Sequence, residues 1–121
     1  MGLDMYAFTT SEVLDAPVDF KVDGYVDVHY WRKHPNLHGW MENLYREKGG
    51  KDETFNCVNL QLTADDLDRL EADIRAGNLP STSGFFFGES DGSEKDDDLA
   101  FVEKARQALA AGLALCYTSW W

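Results

Sequence analysis

A strand gives way to a helix within the stretch Tyr30-Trp31-Arg32-Lys33-His34-Pro35-Asn36-Leu37-His38-Gly39-Trp40. Before it, apolar and polar residues alternate from about Val22 to Trp31, which is typical of a half-buried strand. After it, apolar residues recur at helical spacing as far as Tyr45, and Gly49-Gly50 is a suitable end for the helix. Pro35 suits the first helical turn, because its missing N–H needs no partner there.

Alternating patterns predict four further strands, over Leu3 to Phe8, Phe55 to Leu62, Phe85 to Phe87 and Leu113 to Trp121. Helical spacing predicts two further helices between them. We therefore expect an α+β fold with a single mixed β-sheet of about five strands and three helices. The expected order is β-β-α-β-α-β-α-β, in one domain that covers residues 1–121.

Capping signals mark the ends of the two later helices. Thr63 and Asp66 have the spacing of a capping box, and Gly77 is a suitable stop for that helix. Ser93 is expected to cap the last helix, which would end at Gly112. The apolar stripes of both helices are expected in the core, and they consist of Leu67, Leu70, Ile74, Leu99, Val102 and Leu109.

Composition restricts the classes of function. The formal net charge is −11, which argues against direct nucleic-acid binding, since phosphate contacts need a basic surface. No apolar run is long enough to span a membrane, and the first residues lack the basic-then-apolar order of a signal peptide. We therefore expect a cytoplasmic protein without membrane contact. Cys57 and Cys116 form no CxxC pair and are expected to be reduced and buried.

The cationic and aromatic residues concentrate just before the first helix. The free N–H groups and the dipole of a helix start favour an anion, and the neighbouring cations would add to that attraction. We therefore predict a site for a phosphate, a carboxylate or a nucleotide-like ligand, formed by Trp31, Arg32, Lys33, His34, Asn36, His38 and Trp40. The alternative is that the two cations pair with the abundant acids while the tryptophans lie in the core.

No catalytic residue, metal ligand or cofactor is assigned from the sequence. His34 and His38 are four residues apart, but no HExxH motif or cysteine cluster accompanies them. The loop from Gly88 to Glu94 lacks the ligand order of an EF-hand. The phosphate-binding GxxxxGK[ST], the dinucleotide-binding GxGxxG and the nucleophile motif GxSxG are also missing from the sequence.

Four segments resemble a group of small, poorly characterised proteins from phages, prophages and bacteria. They are Met1-Gly2-Leu3-Asp4-Met5-Tyr6, Tyr30-Trp31-Arg32-Lys33, Leu37-His38-Gly39-Trp40 and Tyr117-Thr118-Ser119-Trp120-Trp121. Some of those proteins are labelled phosphoglycerate kinase, but the present chain is far too short for that two-domain enzyme and lacks its nucleotide-binding segments. The resemblance implies a phage-encoded, cytoplasmic accessory protein that acts by binding.

These observations favour a small protein that binds a nucleotide- or phosphate-like anion without catalysis. A second interpretation is an acidic protein-interaction module that inhibits a host complex for nucleic-acid handling or defence. A third is a small hydrolase or transferase in which His34 or His38 acts as acid and base. The expected partner is therefore a small anion or a host protein, and formation of a homo-oligomer is left open.

Overall fold

The computed structural model describes residues 2–84 and 87–121, and it has the expected α+β architecture. The elements are β1 (Asp4–Thr10), β2 (Val26–Arg32), α1 (Pro35–Glu47), β3 (Leu60–Leu62), α2 (Ala64–Ala76), α3 (Lys95–Ala110) and β4 (Ala114–Trp120). Over these described ranges the strands form one four-stranded sheet with the order β2-β1-β4-β3. The prediction of an α+β fold with three helices is confirmed for this part of the chain.

The prediction of a mixed sheet is wrong, because each neighbouring pair of described strands is antiparallel. A parallel pair needs a crossover connection, usually through a helix. The predicted order placed a strand between α2 and α3 that would have allowed such crossovers. Phe85 and Phe86 of that strand lie outside the described residues, and Phe87 is not in a strand. The chain therefore connects β3 to β4 through α2 and α3 in succession.

The predicted signals set the ends of α1 and α2. Pro35 is the first residue of α1, and Gly77 ends α2 with a left-handed φ of 70°. The capping box is present, since the Thr63 side chain accepts the Asp66 N–H and the Asp66 carboxylate accepts the Thr63 N–H. Ser93 does not cap α3, and this prediction is wrong: its hydroxyl binds Asp91, and α3 begins after Glu94.

A β-bulge determines which side chains of β2 reach each face of the sheet. Ala7 pairs with His29 while Phe8 pairs with Asp27, so Val28 is an extra residue between the two pairs. Such an extra residue interrupts the alternation of side chains. Regular alternation from about Val22 to Trp31 would place Asp27, His29 and Trp31 on one face. Instead, the latter two contact Phe101 of α3, whereas Asp27 lines a cavity on the opposite face.

The main core lies between the sheet and the helices. Among the predicted stripe residues, Leu67, Leu70, Ile74 and Val102 are buried, whereas Leu99 and Leu109 are only partly buried. Phe101 is fully buried instead, and its ring meets Trp31 edge-on at 4.7 Å between centroids. A second, smaller cluster of Phe8, Phe20 and Cys116 lies apart from the main core, with Leu14 and Val22 packed against it.

The strand predicted from Phe55 to Leu62 is much shorter, because only Leu60–Leu62 is β-strand. Cys57 has a φ of 59°, which is incompatible with an extended strand. Cys57 is exposed, so the expectation that it is buried is wrong, whereas Cys116 is buried as expected. The Cys57 N–H still bonds the Ser119 carbonyl of β4, and the Thr118 hydroxyl donates to the Val58 carbonyl.

The final residues are held by the rest of the protein. β4 lies between β1 and β3, and the Trp121 indole N–H donates to the Phe55 carbonyl at 2.8 Å. The Trp121 ring also meets Phe87 edge-on at 5.0 Å, whereas Trp120 is 69% exposed. Within residues 2–84 and 87–121, no helix combines the length and apolar character needed to cross a membrane.

We predict that Gly39→Ala lowers the free energy of unfolding, although Ala usually favours a helix by about 1 kcal/mol over Gly. A Cβ at Gly39 would overlap the Thr82 hydroxyl and lie 3.1 Å from the Thr82 methyl carbon. Thr82 cannot move freely, because its N–H donates to the Asn36 side chain. Urea unfolding should show a loss of about 1–3 kcal/mol, as is typical of overpacking. The double variant with Thr82→Gly should recover most of that loss. A Gly39→Ala protein at least as stable as the wild type would contradict this packing.

Candidate functional site

A cavity of about 370 Å³ lies where α1 and α3 begin and α2 ends. We call it the His34 cavity, and its polar lining comprises His34, Asn36, Arg75, Ser90, Glu94, Lys95 and Asp98. His34 reaches it because the chain turns sharply between β2 and α1. Lys33, at this turn, has a φ of 56° and donates its N–H to the Leu3 carbonyl.

A chain of hydrogen bonds connects α3, His34 and the start of α1. The imidazole Nε2 of His34 lies 2.7 Å from an Asp98 carboxylate oxygen, and its Nδ1 lies 2.7 Å from the Ser90 hydroxyl. The Ser90 oxygen also accepts the backbone N–H of Asn36. A carboxylate only accepts, so the neutral imidazole carries its hydrogen on Nε2, and the Ser90 hydroxyl then donates to Nδ1. Ser90 thereby caps α1 from a distant segment.

Both carboxylates of the His34 cavity are engaged by protein donors. Asp98 is 1% exposed, and its second oxygen accepts the Trp31 indole N–H at 3.0 Å. Glu94 accepts the backbone N–H groups of Asp91 and Gly92, and one of its oxygens lies 3.8 Å from His34 Nδ1. Since a buried carboxylate must be hydrogen-bonded, these contacts account for the acids at this cavity without a bound cation.

Basic side chains and helix dipoles both contribute positive charge at the cavity. The Lys95 ammonium donates to the Arg75 carbonyl at the end of α2, and the Arg75 guanidinium pairs with Glu71 at 2.8 Å. α1 and α3 also direct the positive ends of their dipoles toward this place. A small anion in this cavity can contact the Lys95 ammonium and can replace the Ser90 oxygen as the acceptor of the Asn36 N–H.

The structure separates the residues that the sequence predicted to form one site. His34 and Asn36 line the His34 cavity, and Trp31 reaches it indirectly, through its bond to Asp98. Arg32 and Lys33 are exposed and their side chains lie beside Gly2, outside the cavity.

His38 and Trp40 belong to the interior rather than to the cavity. The His38 Nδ1 is 2.7 Å from the Tyr117 hydroxyl, and the Trp40 indole N–H donates to an Asp73 carboxylate oxygen at 2.8 Å. Burial lowers the pKa of His38 from 6.5 to about 4, and the nearby backbone of Phe55 partly offsets this. His38 is therefore neutral near pH 6.5, and it does not supply a cation to a ligand there.

Sequence reasoning missed Arg75, Ser90, Lys95 and Asp98 as parts of the site. Their contacts to His34, Asn36 and one another join segments far apart in the chain, so no local pattern could have revealed them. Ser90 lies in the segment that was correctly predicted as a loop. The helix α3 places Asp98 within its first turn.

In the described part of the chain, no group of three or more His, Cys, Asp or Glu side chains could hold a metal ion. Comparison with protein families, with curated proteins and with solved structures finds no match to this chain.

We predict that the free energy of unfolding decreases as the pH falls from 6.5 to 4. In this range the unfolded chain binds a proton at His38 that the folded protein does not bind. The folded pKa is about 4 and the unfolded value is 6.5, so this contribution is complete above pH 6.5 and is lost as the pH falls toward 4. The loss should reach about 3 kcal/mol at pH 4, from about 1.4 kcal/mol per pKa unit. Urea unfolding from pH 7 to 4 should show it in the wild type relative to His38→Gln. A pH-independent difference between the two proteins would refute it.

Proposed function

We propose that this protein binds a small anionic ligand, with phosphate- or carboxylate-like oxygens, in the His34 cavity. The proposal rests on one observation, which is how the charged groups that line this cavity are paired. Asp98 and Glu94 are committed to protein donors, while Lys95 and the starts of α1 and α3 are directed toward the space. An anion entering there would meet donors and would not have to compete with uncommitted carboxylates.

The donors surround a limited volume, which suits a small ligand better than a polymer. About 370 Å³ falls within the range of small-molecule sites. Asn36 lies in the first turn of α1, and Lys95 is the first residue of α3. A charge-assisted hydrogen bond to an ammonium contributes about 1.5–3 kcal/mol, so a few such contacts give useful affinity.

The acidic protein-interaction interpretation receives less support. It requires the acids of α2 and of the start of α3 to form a continuous negative face. Arg106 interrupts that face by pairing with Asp68 at 2.9 Å and also with Glu71. Asp66 is bound to Lys48, and Asp97 lies 2.9 Å from His29 Nε2. These pairings divide the acidic surface, whereas the cavity is compact.

A binding accessory protein is also what the resemblance to phage and bacterial proteins implies.

We predict that a screen of nucleotides, cyclic dinucleotides and sugar phosphates finds a ligand that raises the melting temperature of the protein. Lys95→Gln should weaken the binding of that ligand about tenfold or more. Arg32→Gln is the matched control, because it also removes one positive charge but lies outside the cavity. Calorimetric titration of both variants with the same ligand measures the difference. Equal losses of affinity in the two variants would mean that the overall charge of the protein, and not the cavity, determines binding. Loss of binding in Arg32→Gln alone would mean that the ligand binds at the end of β2.

Hydrolysis is a second candidate function, and one specific observation favours it. Ser90, His34 and Asp98 stand in the order of a nucleophile, a base and an orienting carboxylate, with 2.7 Å at each contact. In an ester substrate, the Ser90 oxygen would bond to the acyl carbon as its proton passes to His34 Nδ1. That proton would then go to the leaving alkoxide as the ester C–O bond breaks. A water molecule would cleave the acyl-serine and restore Ser90.

We predict for this second candidate that a fluorophosphonate ester labels Ser90 and that the wild type hydrolyses small activated esters. Ser90→Ala should lose the label and about 10²-fold or more of the rate. Ser11→Ala is the control, because Ser11 is exposed and lies outside the His34 cavity. Mass spectrometry of the intact protein and of its peptides locates the adduct. No adduct at Ser90, together with equal rates in the three proteins, would leave the hydrogen-bond chain with a structural role only.

A further inference from the structure

The face of the sheet opposite the helices carries a second cavity, of about 450 Å³. We propose that this cavity binds a small organic cation with an alkylated ammonium group. Its walls include four aromatic side chains from three parts of the chain, and a carboxylate lies among them: Tyr6, Phe8, Tyr25, Trp120 and Asp27. We call it the aromatic cavity. It lies away from the His34 cavity, so the proposal does not depend on the proposed function.

Strand register brings the aromatic side chains together. Phe8 of β1 pairs with Asp27 of β2. Trp120 of β4 pairs with Asp4, which lies two residues before Tyr6 in β1 and therefore on the same face of the sheet. The Tyr25 ring meets Phe8 edge-on at 5.3 Å between centroids. Aromatic rings attract an alkylated ammonium through their negative faces, and several rings around one space are the usual way in which proteins recognise such a cation.

Two of the four rings are largely open to a ligand, whereas Phe8 is buried beneath them. Trp120 is 69% exposed and Tyr25 is 60% exposed, although large aromatic side chains usually bury most of their surface. A ligand in the cavity would cover part of this surface. Thr118 and Asn59 at the wall are polar, so the cavity is not a uniformly apolar patch of the kind that another protein surface would cover.

The electrostatic field at the aromatic cavity favours a positive charge. The bulge between Ala7 and Phe8 places Asp27 on this face. Burial raises the pKa of the Tyr6 hydroxyl, and the negative charges of Asp4 and Asp27 near it raise that pKa further. The formal net charge of −11 adds a long-range attraction for cations. An anionic ligand would meet repulsion here, in contrast to the His34 cavity.

The test compares choline with 3,3-dimethyl-1-butanol, which has the same shape but no charge. In calorimetric titration of the wild-type protein, choline should bind about tenfold or more tightly than the neutral alcohol, as expected for cation–π contacts. Trp120→Leu and Asp27→Asn should each weaken choline binding by about tenfold. Asp15→Asn is the control, because it removes an exposed carboxylate outside the cavity and should leave binding unchanged.

Cys57 gives a second readout, because it lines the aromatic cavity and is exposed. Cys116 is buried and its thiol pKa is raised to about 12, so iodoacetamide should alkylate Cys57 selectively. Choline should slow this alkylation in the wild type but not in Trp120→Leu, and the neutral alcohol should have a much smaller effect. Absence of choline binding, equal binding of the two probes, or equal effects of Asp27→Asn and Asp15→Asn would each overturn the proposal.

Discussion

The buried carboxylate of Asp98 is the constraint on which the arrangement of the helices and the sheet depends. One oxygen accepts the indole N–H of Trp31 from β2, and the other contacts His34 before α1. A carboxylate with 1% exposure is tolerated only when such donors surround it, because water is not available to solvate its charge. Losing either donor would leave a buried charge partly unsatisfied. The position of α3 against the sheet is therefore tied to the exact course of the chain from β2 into α1.

The two faces of the sheet differ in chemistry. On the helical face, Trp31 and Phe101 pack edge-on, and the His34 cavity opens at the helix ends. On the other face, the bulge in the β1–β2 pair brings Asp27 beside exposed aromatic rings. The two cavities therefore differ in their charged lining: Arg75 and Lys95 accompany Glu94 and Asp98 at one, and Asp27 lies at the other. The strongly negative composition hides this difference, because an average over the chain does not reveal where carboxylates are already paired.

The sequence predicted the features that depend on neighbours along the chain. Thr63 and Asp66 are three residues apart, and their capping box has the expected geometry. The bulge could not be predicted, because β2 alternates regularly in sequence and the extra residue is apparent only when β1 is paired with it. Cys57 looked like a strand residue, yet its positive φ depends on how the segment contacts β4. Ser90 was recognised as a loop residue, but its contact with His34 is set by tertiary packing.

The central pair of the sheet has a consequence for the speed of folding. β1 and β4 lie side by side in the middle of the sheet and pair residues as distant in sequence as Asp4 and Trp120. Closing so large a loop costs conformational entropy before any contact compensates for it. Chains with many contacts of this kind cross their folding barrier slowly. The contacts between α2 and α3 are comparatively local. They can form early and hold the middle of the chain compact until its two ends meet.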